Sequence, residues 1–145
     1  IDDVSYVSVN MRKEDAAECF AYSGPSPVES LFECYFLSKP CMTMVSRHGR
    51  PMGMWGVNRV CDTSGRVWML GCKDMLDDSR DKREFLRQSR IELKKLHKHF
   101  PVLFNYIDAR NTVHLRWLKF MGFTIIRKYE KFGYEGLPFY EFVKI

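Results

Sequence analysis

The amino-acid pattern is that of an α/β (α+β) domain, a mixed, mostly antiparallel sheet flanked by helices. Three features point there. Short apolar runs are punctuated by turn signals at His48-Gly49-Arg50-Pro51, Asp62-Thr63-Ser64-Gly65 and Gly133-Tyr134-Glu135-Gly136. A polar stretch from Asp78 to His99 carries Leu86, Ser89, Leu93, Leu96 and Phe100 at alternating spacings of three and four, the stripe of one helix face. An apolar strand, Phe104 to Ala109, runs through Asn111 into a short helix closed by Gly122-Phe123. With 145 residues, 46% of them hydrophobic, the chain is expected to form one domain over residues 1–145 with a full core.

In order, Tyr6-Val7-Ser8-Val9 alternates as a short strand, and Arg12-Lys13-Glu14-Asp15 opens a helix carrying Ala16, Ala17, Cys19 and Phe20. Ser23-Gly24-Pro25-Ser26-Pro27 is a break. Ser26 is the expected N-cap and Pro27 the first position of a helix reaching Leu37, with Leu31, Cys34 and Tyr35 on its buried face. Met42 to Val45, Met52 to Val57 and Arg66 to Cys72 read as antiparallel strands. The long helix comes next, then the strand, Asn111 and the short helix. In that helix Val113, Trp117 and Met121, with Leu118 beside them, form one face. Asn111 suits an N-cap, and Gly122 suits the left-handed stop with Phe123 folding back as in a Schellman closure. Ile125 to Lys131 and Phe139 to Val143 make a closing hairpin.

Bulk chemistry narrows the function classes. The five cysteines are odd in number and contain no C-x-x-C pair, a pattern of reduced thiols in a cytoplasmic, non-secreted protein. His97 and His99 are two apart and face nearly opposite sides of a helix, so no metal site is expected. No apolar run of membrane-spanning length occurs, and Asp2 and Asp3 stand where a signal peptide needs basic residues, so no membrane partner is expected. The net charge of +5 gathers around Arg80 to His99 and Arg110 to Lys131. Such runs meet nucleic acid, an acidic protein or an anionic cofactor, or simply form solvated helix faces. No motif supports the nucleic-acid option.

The strand, Asn111, helix and Gly122-Phe123 together resemble the C-terminal signature of the GCN5-related N-acetyltransferase (GNAT) superfamily, roughly N-x-x-A-x-x-L-Y-x-x-x-G-F. Asn111, Gly122 and Phe123 match at the right spacing, while His114 stands at the usual Ala and Leu118 at the usual Tyr. The expected element order, β-α-α-β-β-β-α-β-α-β-β, is similar to the superfamily's throughout. Asn-Tyr-Ile-Asp-Ala-Arg-Asn-Thr-Val with Arg-Trp-Leu-Lys is also similar to the acetyltransferase-like internal virion proteins of T7-like podophages, the protein 13 family.

That resemblance implies the GNAT, or acyl-CoA N-acyltransferase, fold, acetyl-CoA as cofactor, an amine acceptor, and a host or phage protein as partner. It places the protein in the host cytoplasm or the virion. It also implies a pantetheine site where the strand of Leu70, Gly71 and Cys72 splays from that of Asn105 to Ala109, with Gly71 in a bulge and Asn111 at the cofactor. The superfamily's glycine-rich phosphate loop is missing: no glycine lies between Lys73 and Met121, and the long helix opens on Asp77-Asp78-Ser79. Those carboxylates cap a helix and repel an anion. Lys73, Arg80, Lys82 and Arg83 either replace the loop as phosphate ligands or are surface charge. For the thiolate's proton donor, Tyr106 and Cys72 are candidates, or else core residues. Asp108 is the best-placed general base, or else bonds local backbone. Two roles follow: acetyl transfer, or a non-catalytic binding or virion-assembly module on the same fold.

Overall fold

The computed structural model describes residues 2–24 and 26–145. Pro25, part of the expected break, lies outside the described residues. Three helices come first, α1 (Asp2–Val9), α2 (Lys13–Ser23) and α3 (Pro27–Leu37), then strands β1 (Cys41–Val45), β2 (Pro51–Arg59) and β3 (Ser64–Gly71). After them come α4 (Ser79–His97), β4 (Val102–Asp108), α5 (Thr112–Phe120), β5 (Thr124–Phe132) and β6 (Leu137–Lys144). One six-stranded sheet has the order β1-β2-β3-β4-β6-β5, antiparallel throughout except for the β3–β4 pair.

The first element corrects the sequence reading, because residues 6–9 belong to a helix and not a strand. Val4 and Val7, three apart and both fully buried, with Met11 one turn on, form a stripe packed with Leu31. The Tyr6-to-Val9 alternation is coincidental, since Val9 points into solvent. The acidic first turn, Asp2 and Asp3, suits the positive end of the helix dipole.

Local signals hold elsewhere. Ser26 and Glu29 form a reciprocal capping box, with Pro27 in the first helical turn of α3. At the end of α5, Phe123 N–H bonds Leu118 C=O and Gly122 N–H bonds Lys119 C=O, each at 3.0 Å, with Gly122 at φ +90°, a Schellman closure. The buried face of α5 is rotated from the expected one, and His114, Leu118 and Met121 are its buried residues. A buried histidine hid the stripe from a reading based on hydrophobicity.

Two apolar layers flank the sheet. Leu93 and Leu96 of α4 and Leu118 of α5 pack with Leu103, Ile107, Phe142 and Val57. On the other face α1 and α3 bury Val4, Val7 and Leu31 against Met54, Leu70 and Cys72. The β5–β6 turn closes on α2, where the Tyr134 and Glu135 N–H groups donate to the Tyr22 and Ala21 carbonyls. The last carbonyls of α2 thereby gain partners that the helix itself cannot supply.

Candidate functional site

Strands β3 and β4 pair over only three positions, Ser64↔Val102, Gly65↔Leu103 and Arg66↔Phe104, and then separate. Asn105 holds the apex: its Nδ2 donates to Val67 C=O at 2.8 Å and its Oδ1 accepts from Tyr106 N–H at 2.8 Å. Beyond that point, alternation of the β2–β3 ladder turns the amides of Met69 and Gly71 toward the split. The split opens into a cavity of about 820 Å³ whose walls include Met69 and Leu70 of β3, Asn105 and Tyr106 of β4, Arg80 and Phe85 of α4, and His114 and Trp117 of α5. Such a volume suits a small-molecule or cofactor site.

Helix α2 stitches the far end of the split shut. Asp15, almost fully buried, accepts from Gly71 N–H at 2.9 Å through Oδ2, while its Oδ1 accepts from Arg12 at 3.1 Å and from Asn111 Nδ2 at 2.9 Å. Glu18 Oε1 accepts from Asp108 N–H at 3.0 Å and, more weakly, from Asn111 Nδ2 at 3.3 Å. Arg12 N–H completes the closure on Gly71 C=O at 2.8 Å. The free edges of both strands are therefore joined through two carboxylates and one amide.

The environment sets the proton chemistry. Burial first, and then the charge of Asp15, push Glu18 up to about 8. Both of its hydrogen bonds use Oε1, and Glu18 is one of the residues that line the cavity. Burial lowers the pKa of His114, so its ring is neutral near pH 7. Cys19 and Cys34, also on the wall, are pushed up to about 12 by burial and stay protonated.

Of the residues expected from sequence, Tyr106, Leu70 and Arg80 line the cavity, whereas Cys72, Gly71, Asn111, Asp108 and Arg83 do not. Tyr106 stacks on Phe132 at 4.7 Å, and burial raises its pKa. Cys72 is sealed in the α1–α3 layer, where burial pushes it up to about 11. Both carboxylate oxygens of Asp108 bind Arg110, with Oδ2–Nη2 at 2.6 Å, the local bonding that was its alternative reading. Asn111 occupies the N-cap position of α5, but its side chain makes no capping bond and reaches the α2 carboxylates instead, correcting that expectation. Gly71 is in no bulge, since the β2–β3 register is unbroken; the Met75 side chain occupies the space that a side chain at this position would fill. Arg83 bonds Ser79 C=O.

Asp15, Glu18 and Arg12 escaped the sequence reading. Their three-residue spacing was visible, but it is also the spacing of an ordinary solvated ion pair on a helix start.

No protein-family model and no curated protein matches the sequence. Solved structures do match. An acetyltransferase of the GNAT family from Bacillus anthracis superposes with a TM-score of 0.71 at 10% identity, over 99% of this chain and 89% of that one. The chain has the GNAT fold. A ribosomal-protein-alanine N-acetyltransferase from Brucella melitensis gives 0.70 at 16% identity, covering 99% and 94%. Spermidine N-acetyltransferase from Vibrio cholerae, solved with CoA and spermine, gives 0.68 at 8%, covering 99% and 89%.

A GNAT cleft implies a CoA thioester, and the residues present fit its two ends unequally. The cavity has the size and apolar walls for an acyl-pantetheine arm, although Gly71 N–H is already engaged. The phosphate end does not fit. Asp78 caps α4 by accepting from Arg80 N–H at 2.8 Å and Asp81 N–H at 3.3 Å, and Arg47 is held by Asp78 at 2.8 Å. With the Arg80 and Asp81 amides bonded to a carboxylate, the helix start turns a negative charge, and fewer free N–H groups, toward a pyrophosphate. No group of three or more His, Cys, Asp or Glu side chains among the described residues could hold a metal ion. No helix is long and apolar enough to cross a membrane among those residues.

Proposed function

We propose that the chain is a phage-type GNAT-fold protein, a degenerate acetyl-CoA-dependent N-acetyltransferase acting on a protein or small-molecule amine. The β3–β4 split, ending at Arg66 and Phe104 and opening into about 820 Å³, carries this reading. The amine acceptors in the names of two structural neighbours support the acceptor class. Within the cavity, Glu18 is the group suited to take a proton from an amine, because a base works best with a pKa near the working pH. Three features limit turnover: Asp78 at the α4 start, Leu118 in place of a tyrosine, and Asp15 on the Gly71 amide.

A steady-state thiol-release assay with polyamines, lysine peptides and host lysate tests the proposal. We expect slow release of CoA, lost in Glu18→Gln. Robust turnover that instead depends on Tyr106 or Asp108 would overturn both the degenerate reading and the role of Glu18. The second reading, a non-catalytic binding or virion-assembly module in the host cytoplasm or the virion, is favoured by the α2 carboxylates holding the split shut. A silent assay, together with a defined phage or host protein recovered as a stable complex, would select it.

A further inference from the structure

We propose that the cavity takes a neutral, mostly apolar chain bearing carbonyl or amide groups, such as an acyl-pantetheine arm, and takes it without a nucleotide. The inference rests on the reading of the split as an acyl-binding cleft. It goes beyond that reading in assigning the binding energy to the acyl-pantetheine arm, with no contribution from CoA's phosphates.

The two ends of the groove differ in what they can bind. At the outer end, the Arg80 and Asp81 amides in the first turn of α4 are occupied by Asp78, and the Arg47 guanidinium spends its charge on that same carboxylate at 2.8 Å. Arg47 N–H is also taken, by the buried Asp81 at 3.1 Å. Arg80 does line the wall, but Asp81 and Glu84 line it beside Arg80. A pyrophosphate brought here would lose water and meet carboxylates, with no glycine loop to offer backbone N–H groups instead.

The inner end is different. Met44, Met52, Met69, Phe85, Leu93 and Trp117 are among its walls, soft and aromatic surfaces suited to an unbranched chain. Three wall residues carry buried nitrogens with no hydrogen-bond partner, Arg66 Nε near the apex of the split and Trp117 Nε1 and His114 Nδ1 on α5. Buried polar atoms are nearly always paired, so a bare indole N–H beside an apolar cavity calls for an acceptor such as a carbonyl. Phe85 stacks on the Trp117 ring at 5.7 Å and holds that donor in place.

Calorimetry of the full chain with S-acetylpantetheine, acetyl-CoA and ADP separates the two ends. We expect S-acetylpantetheine to bind within about fivefold of acetyl-CoA, a gap of about 1 kcal/mol or less, and ADP to give no heat. Acetyl-CoA binding tighter than that margin, or no binding of S-acetylpantetheine, would overturn the inference. Trp117→Phe, which keeps the ring and removes the N–H, should weaken S-acetylpantetheine several-fold, and an unchanged Kd would overturn the role of the indole. The thiol-release assay reports transfer and calorimetry reports occupancy, so a silent assay with S-acetylpantetheine still bound rejects the enzyme reading and keeps this one.

Discussion

Glu18 shows what a single side chain gains from its surroundings. In the unfolded chain it ionises near the ordinary 4.5, whereas in the fold burial and Asp15 hold it protonated to about 8. Between those values the unfolded state releases a proton that the folded state keeps, so the stabilising preference for the neutral form is full below pH 4.5 and is lost as the pH rises to 8. Glu18→Gln keeps an oxygen acceptor for the Asp108 and Asn111 donors and cannot ionise. Urea melts at pH 5 and pH 9 should show the variant gaining stability relative to the parent at the higher pH, and parallel curves would rule out the shift. Asn111 supplies the amide between the Asp15 and Glu18 carboxylates. Asn111→Ala should cost about 2 kcal/mol, the scale of a hydrogen bond to a charged group, as read from a denaturation midpoint. Gly122→Val should cost about 1 kcal/mol or more in the same measurement, because a β-branched residue resists the +90° φ of the Schellman stop.

Helices α4 and α2 both turn carboxylates toward groups that a ligand would otherwise meet. Asp78 caps α4, so Asp78→Ala should lower the urea midpoint, the usual consequence of losing an N-cap. The same substitution removes negative charge from the outer end of the cleft and should leave acetyl-CoA binding unchanged or tighter. Calorimetry checks this, and weaker binding would put the ligand elsewhere. Helix α2 was read from sequence by its apolar residues Ala16, Ala17, Cys19 and Phe20. Its buried positions are Ala21 and the polar Asp15, and a count of apolar residues cannot register the second.

For the whole molecule, the split is the feature that everything else surrounds, and Asn105 fixes where it begins. Asn105→Ala frees Val67 C=O and Tyr106 N–H at the apex and should cost between about 1 and 3 kcal/mol. Hydrogen exchange at the Tyr106 amide should speed up more than at Leu103, which lies within the paired part of the ladder. Uniform acceleration would mean that Asn105 supports the sheet in general and not its opening.

Neighbours along the chain settle a large part of this molecule. Turn residues, the α4 stripe, the Ser26–Pro27 start and the Gly122 stop each act within one or two helical turns, and from them the strands and their order along the chain were legible. The Asp78 cap was legible for the same reason, since an N-cap bonds amides two and three residues away. Residues 6–9 failed as a strand because four alternating residues fit either period until packing on Leu31 chooses one. Contacts between distant segments settle the rest. Asp15 meets Gly71 across 56 positions, Asn111 meets Asp15 across 96, and Asp108 meets Glu18 across 90. Whether a carboxylate is a solvated charge or a buried clasp depends on the water removed around it, and that is fixed by which distant strands the fold brings to its side.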